Sequence, residues 1–99
     1  MTPIRWTDQA VDDLRAIRDF ISRDSPKYGR LVAERLYDAT ARLEDFPRSG
    51  RIVPELDRND LREIILGEYR IVYLVTPDAV ILVTVFRSSR LFPRELGTI

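Results

Sequence analysis

Four arginines in the C-terminal half of this sequence are the residues best suited to chemistry: Arg62, Arg70, Arg87 and Arg90. A guanidinium group forms bidentate contacts with carboxylates and phosphates, and in a catalytic site it stabilises developing negative charge. Arg70 lies near the start of the apolar run YRIVYLV, where an unpaired cation would be costly to bury. We therefore predict that Arg70 is either paired with a carboxylate or placed at the edge of an open groove.

The composition limits the chemistry that could accompany these arginines. The sequence contains no cysteine and no histidine, which excludes disulfides, thiol nucleophiles, imidazole bases and nearly all structural zinc sites. We accordingly expect no metal and no cofactor. Sixteen basic and sixteen acidic residues cancel, so the chain lacks the overall positive field that concentrates nucleic acid, although a local patch remains possible.

Length and hydropathy predict one domain spanning residues 1–99. The first residues lack the cationic and apolar runs of a signal peptide, and the longest apolar run, 79–86, is far short of a membrane span. We therefore expect a soluble cytoplasmic protein that does not contact a membrane.

Two amphipathic helices are predicted in the first half of the chain. Thr7 is placed to cap the first helix, in which apolar residues recur at spacings of three and four. Ser25 and Pro26 signal the start of the second, about 26–46, because a proline at the first helical position loses no hydrogen bond. Its predicted apolar stripe is Val32, Leu36, Ala39, Leu43 and Phe46. The short link between the helices predicts an antiparallel hairpin, and a long polar connection follows at 47–60.

The second half of the chain has the period of β-strands. Three strand-like runs, 61–66, 69–75 and 79–86, are separated by links short enough to require an antiparallel meander, and 2–6 is a short first strand. The element order is β-α-α-β-β-β. It predicts an α+β fold in which a helical hairpin packs on one face of a small, mainly antiparallel sheet.

A two-residue turn at Gly67 and Glu68 would place Ile65 opposite Arg70 and Glu63 opposite Val72. Glu63 and Arg70 then share one face, where they could form a cross-strand ion pair. Both faces of the predicted sheet are mostly apolar, and the helices cover only one. The second face is covered either by the chain's own tail or by another protein, and our working hypothesis is that another molecule covers it.

Several motifs occur in order along nearly the whole chain. They are WTxxAxxDL at 6–14, SP at 25–26, LxxxPxxGRxVxEL at 43–56, LRE at 61–63, YRIVY at 69–73 and VxVFRSSR at 83–90. Together they resemble the RelE/ParE superfamily of toxins from type II toxin-antitoxin systems. The resemblance implies the RelE/ParE fold, growth inhibition, a role in plasmid or chromosomal stabilisation, and a hetero-oligomer with a cognate antitoxin that is ParD-like.

Within the superfamily the chain looks more like the ParE branch, which implies a non-enzymatic inhibitor that binds DNA gyrase. The alternatives are a RelE-like, ribosome-dependent mRNA interferase and a degenerate binding module without toxicity. In the RNase branch Arg70 corresponds to the arginine of the YR strand, Arg62 falls near a basic position, and Arg87 or Arg90 matches the arginine after the last strand. Ile64 and Ile65 stand where a second cation would help, and the tail has no tyrosine or histidine. RNA cleavage by 2′-hydroxyl attack needs groups that accept and donate protons. Because the tail lacks the usual groups for this, the sequence favours the protein-binding role.

The residues we predict to bind a partner are Arg70, Arg87, Arg90, Leu91 and Phe92. Leu91 and Phe92 belong to a short apolar tail with no room for a long helix. This tail either packs over the open sheet or forms an exposed patch of the kind that marks an interface.

Overall fold

The computed structural model describes residues 1–99 as a mixed five-stranded sheet with two helices on one face. The elements are β1 (Ile4–Trp6), α1 (Asp8–Ser22), α2 (Pro26–Ala39), β2 (Arg51–Ile52), β3 (Leu61–Leu66), β4 (Tyr69–Val75) and β5 (Val80–Arg87). The strand order is β1-β5-β4-β3-β2, and every neighbouring pair is antiparallel except β1 with β5. The predicted α+β class and element order are confirmed. The two-residue strand β2, inside the polar connection, was not predicted.

The helical hairpin begins where the caps predicted it. The Thr7 hydroxyl accepts a hydrogen bond from the backbone N–H of Ala10 at 3.0 Å, and Ser25 caps α2 in the same way. The helices approach closely at Gly29, where an added Cβ would lie 2.7 Å from the backbone oxygen of Arg18. Glycine at this position therefore allows the tight antiparallel packing. Neither helix has the length and apolar content needed to cross a bilayer.

The second helix is shorter than predicted, since α2 ends at Ala39 and not near residue 46. The Thr40 hydroxyl donates to the carbonyl oxygen of Tyr37 at 2.7 Å, the acceptor that the next residue would have used in a continuing α-helix. The chain then tightens into a 3-10 turn at Ala41–Glu44, which keeps Leu43 buried. Phe46 falls outside the helix and is 66% exposed, so its place in the predicted apolar stripe is wrong.

The β3–β4 hairpin has the predicted register. Gly67 has φ = 56°, the left-handed conformation that a two-residue turn requires, and Ile65 lies opposite Arg70. Because side chains alternate along a strand, Ile64, Ile71 and Tyr73 face the helices while Val72 faces away. Their helix-side partners include the buried residues Ala10, Val32, Leu36 and Leu43.

The face turned away from the helices, which we call the second face, is largely covered by the chain itself, although Ile65 on this face stays 45% exposed. Val53 from the polar connection and Leu96 from the tail pack on Val72 and Phe86. The tail forms a 3-10 turn at Arg94–Thr98. Our hypothesis that another molecule covers this face is therefore wrong, and the alternative, a tail folded back over the sheet, is correct. The connection supplies the rest of the cover.

Candidate functional site

Arg70 is the centre of a charge network on the second face. Its Nε donates to one oxygen of Glu63 at 2.6 Å, and its two terminal nitrogens each donate to an oxygen of Glu55 at 2.8 Å. The other oxygen of Glu63 accepts from Nε of Arg51 at 2.6 Å. Arg70 is only 7% exposed and Glu63 only 1%. Of the two situations predicted for Arg70, the paired one is found.

Two aromatic rings enclose the same guanidinium group. The central carbon of Arg70 lies 5.4 Å from the ring centre of Phe86 on β5 and 5.1 Å from that of Phe92 in the tail. The two rings meet edge to face at 6.1 Å. Arg90 lies over Phe86 at 5.8 Å. The structure thus brings together Arg70, Arg90 and Phe92, three of the residues predicted to bind a partner.

The ion pairs fix the protonation states in this network. The hydrogen bonds from Arg70 hold the pKa of Glu55 at about 2, against an ordinary value of 4.5, although partial burial acts in the opposite direction. Hydrogen bonds to Glu55 and Glu63 raise the pKa of Arg70 further above its already high ordinary value. Glu55 is therefore ionised at neutral pH, and its carboxylate is a poor proton acceptor.

Arg62 holds the polar connection in place. Its Nε donates to the backbone oxygen of Asn59 at 3.0 Å, and one terminal nitrogen donates to the backbone oxygens of Gly50 and Arg48 at 3.0 and 3.1 Å. The other terminal nitrogen donates to the Asn59 side chain. Alternation along β3 places Arg62 on the helix side of the sheet, opposite to the side of Arg70.

Arg87 lies on the helix side of the sheet, like Arg62, but at the other end of the strands. It is exposed and pairs with Glu68 at 3.0 Å. In the strand register Arg87 stands opposite Tyr69, while Arg62 stands opposite Tyr73. Those positions are four residue steps apart along β4, or about 13 Å at the usual rise of a strand. Of the three arginines considered for RNA cleavage, Arg62 and Arg87 thus lie at opposite ends of the helix-side face, and Arg70 lies on the other face.

The turn after β5 is the most exposed part of the predicted site. Arg87, Arg90 and Leu91 are all exposed, and Leu91 has 90% of its surface accessible. Hydrogen bonds from Ser88 to the Glu68 carbonyl oxygen and from Arg90 N–H to the Arg87 carbonyl oxygen hold the turn. We call residues 87–92 the β5 turn. It presents the apolar side chain of Leu91 next to the cations Arg87 and Arg90 and the half-buried ring of Phe92.

Sequence reasoning missed three residues of this region: Arg51, Glu55 and Arg58. A terminal nitrogen of Arg58 donates to the backbone oxygens of Ile99 and Gly97 at 2.6 and 3.3 Å, which fastens the tail to the connection. Its pairing with Asp60 lowers the pKa of that carboxyl group. One signal was available for Glu55: a buried Arg70 needs more than one carboxylate, and Glu55 follows Val53 in an otherwise uncharged stretch.

Comparison with known proteins agrees with this architecture. A family profile described as the ParE toxin of the type II toxin-antitoxin system parDE matches residues 4–92. Toxin RelE2 of Caulobacter vibrioides is 35% identical over 92 residues, which cover 92% of this chain and all of that protein.

Two solved structures share the fold. A structure of the chromosomal ParDE system from P. aeruginosa superposes with a TM-score of 0.74 at 19% identity, covering 88% of this chain and 96% of the other. The conserved hypothetical protein HP0894 from Helicobacter pylori gives a TM-score of 0.54 at 19% identity, covering 93% and 100%. The match over residues 4–92 and the full-length relative together show that this chain belongs to the ParE family, within the RelE/ParE toxins of type II toxin-antitoxin systems.

Proposed function

We propose that this toxin acts by binding DNA gyrase as a protein inhibitor, and that a ParD-like antitoxin neutralises it. The observation that carries the proposal is that some of the predicted arginines are bound within the chain while another is exposed. Arg62 and Arg70 are held by internal hydrogen bonds, while Arg90 and Leu91 of the β5 turn are exposed and Arg90 forms no ion pair.

The internal contacts of Arg70 disfavour a role in RNA cleavage. Stabilising a phosphorane requires guanidinium N–H groups aimed at the reacting phosphate. All three nitrogens of Arg70 instead donate to carboxylates, whose negative charge would repel a phosphate group. Arg62 is similarly occupied by oxygens of the polar connection. A nuclease role would require both networks to be broken first.

The β5 turn has the composition of a protein-binding surface. Interfaces are enriched in arginine and aromatic residues, and the side chains that contribute most to binding lie in well-packed pockets that lose all their water in the complex. Leu91, flanked by Arg90 and Phe92, fits an apolar pocket with an acidic rim on the partner. Such binding needs neither a proton acceptor nor a positive net charge.

The test uses purified toxin in two parallel assays: supercoiling of relaxed plasmid by gyrase, and translation of a reporter mRNA on ribosomes followed by primer extension. We expect inhibition of supercoiling with intact mRNA, and SOS induction in cells that express the toxin without its antitoxin. Leu91→Asp and Arg90→Glu should each weaken inhibition about tenfold or more, the loss typical of an interface anchor. Arg30→Glu on α2, an equal charge change at an exposed arginine, is the matched control and should leave inhibition unchanged.

Two outcomes would contradict the proposal. Normal supercoiling with codon-linked mRNA cuts would indicate the RelE-like interferase, the alternative that the name of the relative, Toxin RelE2, favours. A protein that is harmless in both assays, and in cells lacking the antitoxin, would indicate a binding module without toxicity.

A further inference from the structure

Residues 53–56 of the polar connection form a turn, closed by the hydrogen bond from Leu56 N–H to the Val53 carbonyl oxygen, that packs on the second face. Val53 is fully buried in the cluster with Val72 and Phe86, and Leu56 packs against the same cluster. Between them Glu55 makes its bidentate contact with Arg70. The segment therefore occupies the face with two apolar side chains and one carboxylate.

The contact made by Glu55 differs from that made by Glu63. The side chain of Glu63 is completely inaccessible and holds Nε of Arg70, whereas the side chain of Glu55 is 30% exposed and holds the two terminal nitrogens. If Glu55 moved away, Glu63 would still fix the guanidinium group. The terminal nitrogens would then face an opening bordered by the rings of Phe86 and Phe92.

The local charge favours a replacement anion in that opening. Arg51 and Arg90 lie beside Arg70 in the same cluster, through the shared Glu63 and the shared Phe86 ring respectively. Without Glu55, these three cations would be left with Glu63 as their carboxylate. A carboxylate from another molecule would replace the negative charge of Glu55. Arginine and carboxylate prefer bidentate binding, the geometry that Glu55 now uses.

We propose that this is a peptide-carboxylate site in which Glu55 is a built-in competing ligand. A segment of a partner protein that carries a glutamate between two apolar residues displaces residues 53–56 and binds Arg70. A peptide fits better than a free phosphate because the present occupant contributes apolar side chains as well as a charge. The inference goes beyond the proposed function and does not depend on which target the toxin inhibits.

Competition from within the chain makes a quantitative prediction. The apparent affinity for an external peptide equals the intrinsic affinity multiplied by the fraction of molecules in which the site is free. The wild-type protein should therefore bind such a peptide weakly. Glu55→Gln, which removes the charge and keeps the shape of the side chain, should bind it at least about tenfold more tightly because the open fraction increases.

The probe is a peptide of residues 52–56 with both ends blocked, titrated by NMR into the wild-type protein and into Glu55→Gln. Its matched control has glutamine in place of glutamate. We expect tighter binding of the glutamate peptide to the variant, shifts at Phe86 and Phe92, and at least about tenfold weaker binding of the glutamine peptide, as expected for loss of a charged hydrogen-bond partner.

Equal binding of the two peptides, or no gain in the variant, would overturn the proposal. Inorganic phosphate is titrated as a separate arm, and tighter binding of phosphate than of the peptide would reduce the site to a simple anion site. If thermal unfolding shows that Glu55→Gln is not folded, the wild-type titration decides. Glutamate-dependent shifts at Phe92 at millimolar peptide would support the site, and their absence would contradict it.

Discussion

The two faces of the sheet are closed by different kinds of interaction. The core between the helices and the sheet is apolar: residues such as Leu36, Ile71 and Leu82 are fully buried against one another. The second face has a smaller apolar cluster beside a buried charge network in which Arg70 is held by Glu55 and Glu63. Apolar packing tolerates small shifts, whereas a buried ion pair is favourable only with near-ideal geometry. The second face is therefore the more sensitive to single charges and to pH.

The largest expected loss of stability follows the removal of Glu63. Glu63→Ala would leave Arg70 buried with only the more exposed Glu55 as partner, and breaking a buried pair in this way costs about 3–5 kcal/mol. The free energy of unfolding measured by urea denaturation should fall by about that amount. Glu68→Ala, which removes an exposed carboxylate paired with Arg87, is the control and should leave the midpoint nearly unchanged. If Glu63→Ala and Glu68→Ala lowered the free energy of unfolding equally, the buried ion pair would be no more stabilising than the exposed one.

Truncating one leucine on each face compares how much each apolar cluster contributes to stability. Leu36→Ala leaves a cavity in the main core and should cost about 3–4 kcal/mol. Leu96→Ala should cost about 2 kcal/mol, because the short tail turn that carries Leu96 can shift to fill part of the space. Both values are to be measured by urea unfolding at neutral pH. A greater loss from Leu96→Ala would mean that the tail contributes more than the helix packing.

The smallest expected effect is on the pH dependence of stability. Because Arg70 lowers the pKa of Glu55 to about 2, the pair stabilises the folded state fully above pH 4.5. That stability should be lost as the pH falls from 4.5 towards 2. Glu55→Gln should flatten this part of the curve, while Leu36→Ala should lower the curve without changing its slope. The slope should not vanish completely, since the lowered pKa of Asp60 acts in the same direction. A wild-type slope in the Glu55→Gln protein would show that the pair does not control acid sensitivity.

The meander and its register follow from local patterns. The Gly67 turn and the two-residue period of β3 and β4 determine which residues lie opposite each other, so the pairing of Glu63 with Arg70 could be anticipated. The end of α2 was missed because the Thr40 hydroxyl competes with the helix for a carbonyl oxygen, an effect that apolar periodicity does not register.

The closure of the second face could not be derived in the same way. It depends on contacts between segments distant in sequence: Glu55 with Arg70, Arg58 with the tail, and β1 beside β5. No local period encodes these contacts. The connection also turns through Asp57 at φ = 51°, a conformation that few residues other than glycine adopt. Local patterns thus pointed to the arginines worth considering, but not to which of them are buried in ion pairs and which are exposed.

The most direct test of this account is the NMR signal of the Arg70 side-chain Nε–H at neutral pH. The account predicts a sharp, slowly exchanging resonance, because the proton is buried and bonded to Glu63 at 2.6 Å. Arg90, which is exposed, serves as the internal comparison and should exchange rapidly. An Arg70 proton that exchanges with water as fast as that of Arg90 would contradict the closed second face.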